Sequence, residues 1–294
     1  MKQLVKHVIE TSVRVLPFKQ QVFGVIKPIH PPKRVWVFLR FRGKFKVEVN
    51  GSASFWMNNH GYGLENAIFW SGLYMGFGEE QSLKLWEKLC VRARTVLDIG
   101  SNVGVYSLVA KAVNSGVAVF GFEPVAHLYE KFKDNCQLNG FDISCMQCAL
   151  SDNNGFANIH MQPGRVATAS LNPNALRTEV ERVEVRTLSN FIEANGLRRI
   201  DLIKIDVEGC EPQVLRGMTD YLPTMKPSII IEILSAQVGT EVETLVKDCG
   251  YIFFNIDEIK GPVRQETLSI EGKSRHSRNF LLCTNAVAID LGLN

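Results

Sequence analysis

The sequence predicts an α/β fold built on a mostly parallel sheet, preceded by an N-terminal extension. Three observations carry this. From Thr95 onward, short apolar strands alternate with helical segments, the pattern of a sheet whose crossovers are helices. Asp98-Ile-Gly100-Ser-Asn102-Val-Gly104 places glycines where the first of those strands runs into a helix. Before that point the composition differs: residues 1–50 hold eleven Lys/Arg and two Glu.

Length and composition bound the class. The 294 residues suffice for one large domain or a domain with a substantial appendage. Hydrophobic residues at 46% and charged residues at 21% are ordinary for a soluble globular protein. No apolar run is long enough for a spanning helix. Lys6, His7, Glu10 and Arg14 interrupt the start, so no signal peptide is expected. Seven cysteines, an odd number, then read as reduced thiols and a cytoplasmic location. The net charge of +3 divides into about +9 over residues 1–50 and about −6 elsewhere. A basic arm can meet an acidic membrane surface, a nucleic acid or a phosphorylated carrier. It can also be a solvated face whose stems cover apolar surface. Peripheral membrane contact through this arm is carried forward, and no nucleic-acid partner is expected.

The elements follow in order. Residues 3–16 repeat apolar side chains at helical spacing, and Pro17, Pro28, Pro31 and Pro32 then break the chain. Residues 35–49 read as two short strands around Gly43. Residues 51–78, rich in glycine and aromatics, read as an irregular cap over a pocket or as surface loops. A helix follows over 79–90. The division expected is an extension at 1–70 and a domain at 71–294. Within the domain, strands are expected at 96–99, 117–122 and 143–150, with helices at 105–113 and 125–138 between them. Residues 158–161 and 183–186 read as further strands, and Ser189 as the cap of a helix ending at Gly196. Strands at 202–206 and 228–233 flank a helix at 211–217. A helix closed by Gly250 leads to a final strand pair at 251–256 and 279–284.

Four strand ends carry the chemistry. The first is the Asp98–Gly104 turn, whose spacing G-x-x-x-G is not the dinucleotide fingerprint. Its helix N-terminus offers free N–H groups to an anion. Asp98 can hold an ammonium group. S-adenosylmethionine carries a carboxylate and an ammonium at its methionine end, whereas Asp98 would repel a pyrophosphate. The second is Glu123, 19 residues beyond Gly104 and followed by Pro124. A carboxylate there accepts from both ribose hydroxyls of an adenosine cofactor, or caps the next helix. The third is Ser151-Asp152, within reach of an adenine edge or an ordinary turn. The fourth is Ile200-Asp-Leu-Ile-Lys204-Ile-Asp206-Val-Glu208-Gly209-Cys-Glu211. Lys204 and Asp206 share one face of the strand. Asp206 or Glu208 is a candidate general base for a hydroxyl, or a ligand to a divalent cation that acidifies it. The alternative is an ion pair between Lys204 and an acid. Glu232 joins this cluster or ends the next strand.

With these stretches in view, the chain resembles the FkbM family of methyltransferases over roughly residues 70–284. The resemblance rests on VLDIGSNVGVYSL, VFGFEP, ALSDNNG, IDLIKIDVEGCEPQVLRGM, KPSIIIEIL and NFLLC. It implies the class I methyltransferase fold, Rossmann-like, with seven mostly parallel strands and helices on both faces. It implies S-adenosylmethionine as cofactor, with Asp98, Gly100, Ser101, Asn102 and Gly104 at the methionine end. Glu123 and Pro124 would then lie at the ribose, Ser151 and Asp152 by the adenine, and Glu80 near the cofactor. Ser101 and Ser189 stand where the family commonly has Ala and Asp.

The function expected is methyl transfer to a hydroxyl of a sugar, glycan or glycosylated natural product. Alternatives are a lipid or protein acceptor, or an S-adenosylmethionine-binding protein without catalysis. A nicotinamide oxidoreductase is a further rival, marked by tight NAD binding. An asparagine-proline-proline-aromatic motif and a proline-cysteine nucleophile are both missing, which favours oxygen as acceptor. Cys145 and Cys148 have redox spacing but read as core or edge cysteines on one strand. None of the six histidines shows metal-ligand spacing.

Overall fold

The computed structural model describes residues 18–163, 165–173 and 176–293. The helix expected over 3–16 lies outside these residues. The chain forms two compact units, 1–80 and 81–294.

The first unit holds helices α1 (Lys19–Ile26) and α2 (Lys33–Trp36) and strands β1 (Gly43–Glu48) and β2 (Ser54–Asn59). Helices α3 (Gly63–Ser71) and α4 (Leu73–Phe77) follow. The reading of 35–49 as two strands is corrected: 33–36 is helical, entered from extended Pro32, and only β1 forms. Its antiparallel partner β2 comes from the stretch read as irregular. Phe55, Met57 and Asn59 alternate inward there, a period of two hidden among glycines. Phe23, Phe41, Phe45, Phe69 and Trp70 form the core, with ring centroids 4.7–6.3 Å apart.

The second unit takes up α5 (Glu80–Cys90), β3 (Thr95–Ile99), α6 (Val105–Val113), β4 (Ala118–Phe122), α7 (Ala126–Asn139) and β5 (Ile143–Met146). Next come β6 (Ala149–Ser151), β7 (Gly155–Gln162), β8 (Arg165–Ser170), β9 (Glu179–Thr187) and α8 (Leu188–Ala194). The unit continues with β10 (Leu202–Ile205), α9 (Glu211–Arg216), α10 (Leu222–Met225), β11 (Ser228–Glu232) and α11 (Ala236–Val246). It ends with β12 (Ile252–Asp257), β13 (Gly261–Gln265), β14 (Asn279–Cys283) and α12 (Asn285–Leu291).

The main sheet has the order β13-β12-β14-β11-β10-β3-β4-β5. Strands β11, β10, β3, β4 and β5 run parallel, and β14 is inserted antiparallel between β11 and β12. This is the class I methyltransferase arrangement. The eighth strand, β13, extends the edge beside β12. Strands β3, β10 and β11 are almost wholly buried and mostly apolar, as a sheet covered by helices requires, with Asp98 the charged residue within β3. Lys204 is the charged exception on β10, 1% exposed. Among the described residues no helix is long and apolar enough to cross a membrane.

A second sheet, β6-β9-β7-β8, is built from the residues between β5 and α8. The expected strand at 143–150 is therefore two strands in two sheets. Cys145 and Cys148 part company, and Cys145 Sγ lies 3.6 Å from Cys136 Sγ instead. The cap of α8 is Thr187, whose Oγ1 accepts from Asn190 N at 3.2 Å, not Ser189. Ser189 lies inside the first turn, where its N–H reaches Gly217 O.

Candidate active site

The turn after β3 is held from below. Gly100 and Ser101 both donate their N–H to Phe122 O at 3.0 Å. Gly100 sits at φ +81°. A Cβ there would stand 1.9 Å from Asp206 O, so glycine is required by contact as well as by conformation. Gly104, at φ +88°, has the Phe132 ring where its Cβ would be. Asn102 between them is left-handed, φ +53°. Two strand ends thus meet backbone to backbone, and Asp206 N also donates to Ile99 O at 3.0 Å.

The acids around this turn are buried and orient it. Asp98 Oδ2 accepts from Ser107 N at 3.0 Å and Ser107 Oγ at 2.7 Å, tying β3 to the first turn of α6. Glu123 Oε2 accepts from Asn102 N at 2.8 Å and Oε1 from Val125 N at 2.9 Å. Glu123 therefore closes the turn at its own strand end. Pro124, half-buried, breaks the strand there.

The loop after β10 is more constrained than its sequence suggests. Lys204 Nζ lies 3.2 Å from Asp206 Oδ2 and 5.2 Å from the Tyr106 ring centroid. In the sheet register Lys204 also stands beside Asp98. Glu208 is left-handed at φ +56°, a conformation that costs a residue with a side chain of order 1–3 kcal/mol. Arg177 binds its carboxylate at 3.2 Å, and Ser170 Oγ donates to its carbonyl at 2.8 Å. Asn172 Nδ2 donates to Gly209 O at 3.0 Å. Glu211, 0% exposed, accepts from Val207 N at 3.2 Å and Gly209 N at 3.1 Å through Oε1. Its Oε2 is buried without a partner.

Burial dominates the electrostatics. It pushes the Asp98 carboxyl up to about 6, with Ser107 and Lys204 pulling the other way. It pushes Glu123 up to about 7 against the hydrogen bonds from Val125 and Asn102. It pushes Glu211 up to about 7, helped by the Asp206 charge. Glu208 is raised by burial and by Asp206, and lowered by Arg177. A raised carboxyl binds its proton more tightly folded than unfolded. Its stabilisation is complete below the unfolded value near 4 and is lost as pH rises through 6 to 7. The ligand-free protein is therefore expected to lose stability between about pH 4.5 and 7, by up to about 3 kcal/mol for each such acid. Urea unfolding across that window checks the sign. A midpoint that rises with pH there would contradict it.

The other sequence candidates stand at the ends of other elements. Ser151 is buried at the end of β6, and its Oγ lies 3.4 Å from Asp152 Oδ1. Asp152 is exposed and ion-paired at 3.2 Å with Arg216, which also binds Glu241. Glu80 is the first residue of α5 and the last of the first unit. Glu232 stands opposite Asn279 at the end of β11. Tyr106 and Ser107 carry no functional signal in the sequence, although they fall in the first turn of the helix that follows the glycines. Arg177, Ser170 and Asn172 come from the second sheet and its loops. Nothing in the sequence ties them to residue 208.

Residues 98–253, just over half of the chain, match the Methyltransferase FkbM domain. The chain belongs to the FkbM methyltransferase family. It is a methyltransferase, and the match begins at Asp98, the first residue of the glycine turn. Methyltransferase sdnD of Sordaria araneosa is 27% identical over 188 residues, 53% of this chain and 73% of that protein. Hexuronic acid methyltransferase AglP of Haloferax volcanii is 24% identical over 189 residues, covering 60% and 76%. The 31-O-demethyl-FK506 methyltransferase FkbM of Streptomyces tacrolimicus is 30% identical over 155 residues, covering 42% and 59%. Among solved structures, the FkbM methyltransferase of Methylobacillus flagellatus aligns with a TM-score of 0.45 at 14% identity, over 65% of this chain and 43% of that one.

Proposed function

We propose that this methyltransferase transfers the methyl group of S-adenosylmethionine to a hydroxyl of a sugar, glycan or glycosylated natural product. The observation that carries the reading is the contact of Gly100 with the Asp206 carbonyl. It brings the turn suited to a cofactor's methionine end against the acid suited to act on an acceptor. The donor set fits the cofactor. Asp98, Glu123, Asp206, Glu208 and Glu211 outnumber Lys204 and Arg177, so the site favours a ligand carrying a sulfonium and an ammonium. A pyrophosphate would meet the same acids unfavourably. The acceptors named for AglP and FkbM, a hexuronic acid and a demethylated FK506, support an oxygen acceptor on a sugar or natural product.

S-adenosylmethionine supplies an activated methyl group, so the protein has mainly to position and to desolvate. Asp98, Gly100, Ser101, Asn102 and Gly104 form the cradle for the methionine end. Glu123 turns from the Asn102 N–H to the ribose hydroxyls, beside Pro124. Ser151 and Asp152 serve the adenine side, and Glu80 is a further cofactor contact. Asp206 accepts the acceptor's hydroxyl proton, and the Lys204 cation at 3.2 Å holds its carboxylate in place. Glu208 flanks it, anchored by Arg177. Among the described residues no group of three or more His, Cys, Asp or Glu could hold a metal ion. The basic residues of 1–50 support peripheral contact with an anionic membrane, which also keeps a lipid-borne acceptor as the second reading.

Calorimetric titration with S-adenosylhomocysteine tests the assignment. Glu123→Ala removes charge-assisted hydrogen bonds and is expected to weaken binding about 10- to 100-fold. NAD is expected not to bind. Wild-type protein that ignores S-adenosylhomocysteine, or prefers NAD, would overturn the reading.

A further inference from the structure

We infer that the first unit docks on an anionic lipid bilayer through one face of α1. Phe18, Val22 and Val25 recur at i, i+4 and i+7, and Ile29 continues the stripe in the 3-10 turn Lys27–Ile29. Phe18, Val25 and Ile29 are 76%, 78% and 77% exposed. Phe23, on another face of the same helix, is 1% exposed and packs against Phe41 and Trp70. The segment 18–29 thus buries Phe23 in the core and turns Phe18, Val25 and Ile29 to solvent, with Val22 half-buried between them. Among the described residues, packing within the unit accounts for Phe23 and leaves Phe18, Val25 and Ile29 exposed.

Charge complementarity selects the occupant. Residues 18–50 hold eight Lys/Arg and a single acid, Glu48. That acid is taken by Lys46 at 3.1 Å. Lys33 and Arg34, both exposed, follow the stripe directly in α2. Gln20 of α1 donates to the Lys44 carbonyl, which places β1 beside the helix. Lys44 Nζ lies 5.5 Å over the ring of Trp56, which is 41% exposed on the paired strand. Exposed apolar side chains, cations close by in the sequence and a half-exposed indole are the components of an element lying in a lipid interface. The aliphatic side chains enter the acyl boundary, and the cations meet phosphodiester headgroups. This deepens the peripheral contact proposed for the basic residues and is independent of the cofactor assignment.

Flotation of the full chain with vesicles tests it. Binding is expected to equimolar phosphatidylcholine and phosphatidylglycerol, and not to phosphatidylcholine alone. Two variants separate the contributions: Phe18→Ser with Val25→Ser and Ile29→Ser, and Lys33→Glu with Arg34→Glu. Each alters exposed side chains, so melting temperature and S-adenosylhomocysteine affinity should match wild type while partitioning falls about tenfold or more. Wild-type protein that stays unbound, or an apolar variant that binds as well, overturns the inference. So does a wild-type dimer by light scattering that the apolar variant dissolves, because the stripe would then cover a second copy. Loss of cofactor binding with flotation intact would strike the cofactor assignment and leave the docking face standing.

Discussion

Asp206→Asn is expected to lower turnover by about 10²- to 10⁴-fold while leaving S-adenosylhomocysteine affinity and the fold intact. The amide keeps an oxygen that can accept from Lys204 Nζ, now 3.2 Å from Oδ2, so the geometry around the lysine survives. What disappears is the capacity to take a proton. The neighbourhood supports the proposal of this acid among five. Asp98, Glu123 and Glu211 are 0–4% exposed and accept from backbone or hydroxyl donors. Glu208 is committed to Arg177. Asp206 keeps its side chain 32% exposed while paired to a buried cation. It can therefore meet an acceptor and remain oriented. Single-turnover rates and calorimetry on the same preparation check this. Full turnover would remove Asp206 from the proton transfer. Lost cofactor affinity would make it a binding residue instead.

Gly100→Ala is expected to be the most damaging single methyl group in the second unit. Two effects add. A side chain in the left-handed region costs of order 1–2 kcal/mol, and φ here is +81°. The added Cβ would also stand 1.9 Å from Asp206 O and 2.9 Å from Asp206 C, both backbone atoms that cannot swing aside. Overpacking of that kind costs a further 1–3 kcal/mol or more. The sum, about 2–5 kcal/mol, either unfolds the unit or separates the two strand ends. Gly140→Ala provides the control. Gly140 has φ +61° at the end of α7 with nothing within 4 Å of a Cβ, so it isolates the conformational cost. Urea midpoints and cofactor affinity distinguish them. If both variants are equally stable and equally competent, the contact between the two strand ends is not what makes Gly100 necessary.

The sequence by itself determined the layered α/β fold of residues 95 onward. Apolar strands and amphipathic helices alternate there with local periods that no distant contact overrides, and α6 falls at 105–113 as its pattern predicts. It also determined the polar strand ends, because charges such as Lys204 and Asp206 interrupt an otherwise apolar strand at readable parity. It did not place β2, where aromatics and glycines mask a two-residue period, or β8 and β13, short edge strands that each fold back on the strand just before them. The 143–150 stretch was continuous in composition yet split between two sheets, because the choice of partner strand is a long-range matter. Only the tertiary structure decided that Glu123 closes the glycine turn and that Arg177 holds Glu208. It alone set the carbonyl of Asp206 against Gly100. Each of these joins residues 21 to 106 positions apart. Their spacing carries no periodic signal, and the geometry exists only once β3, β4 and β10 have paired in register.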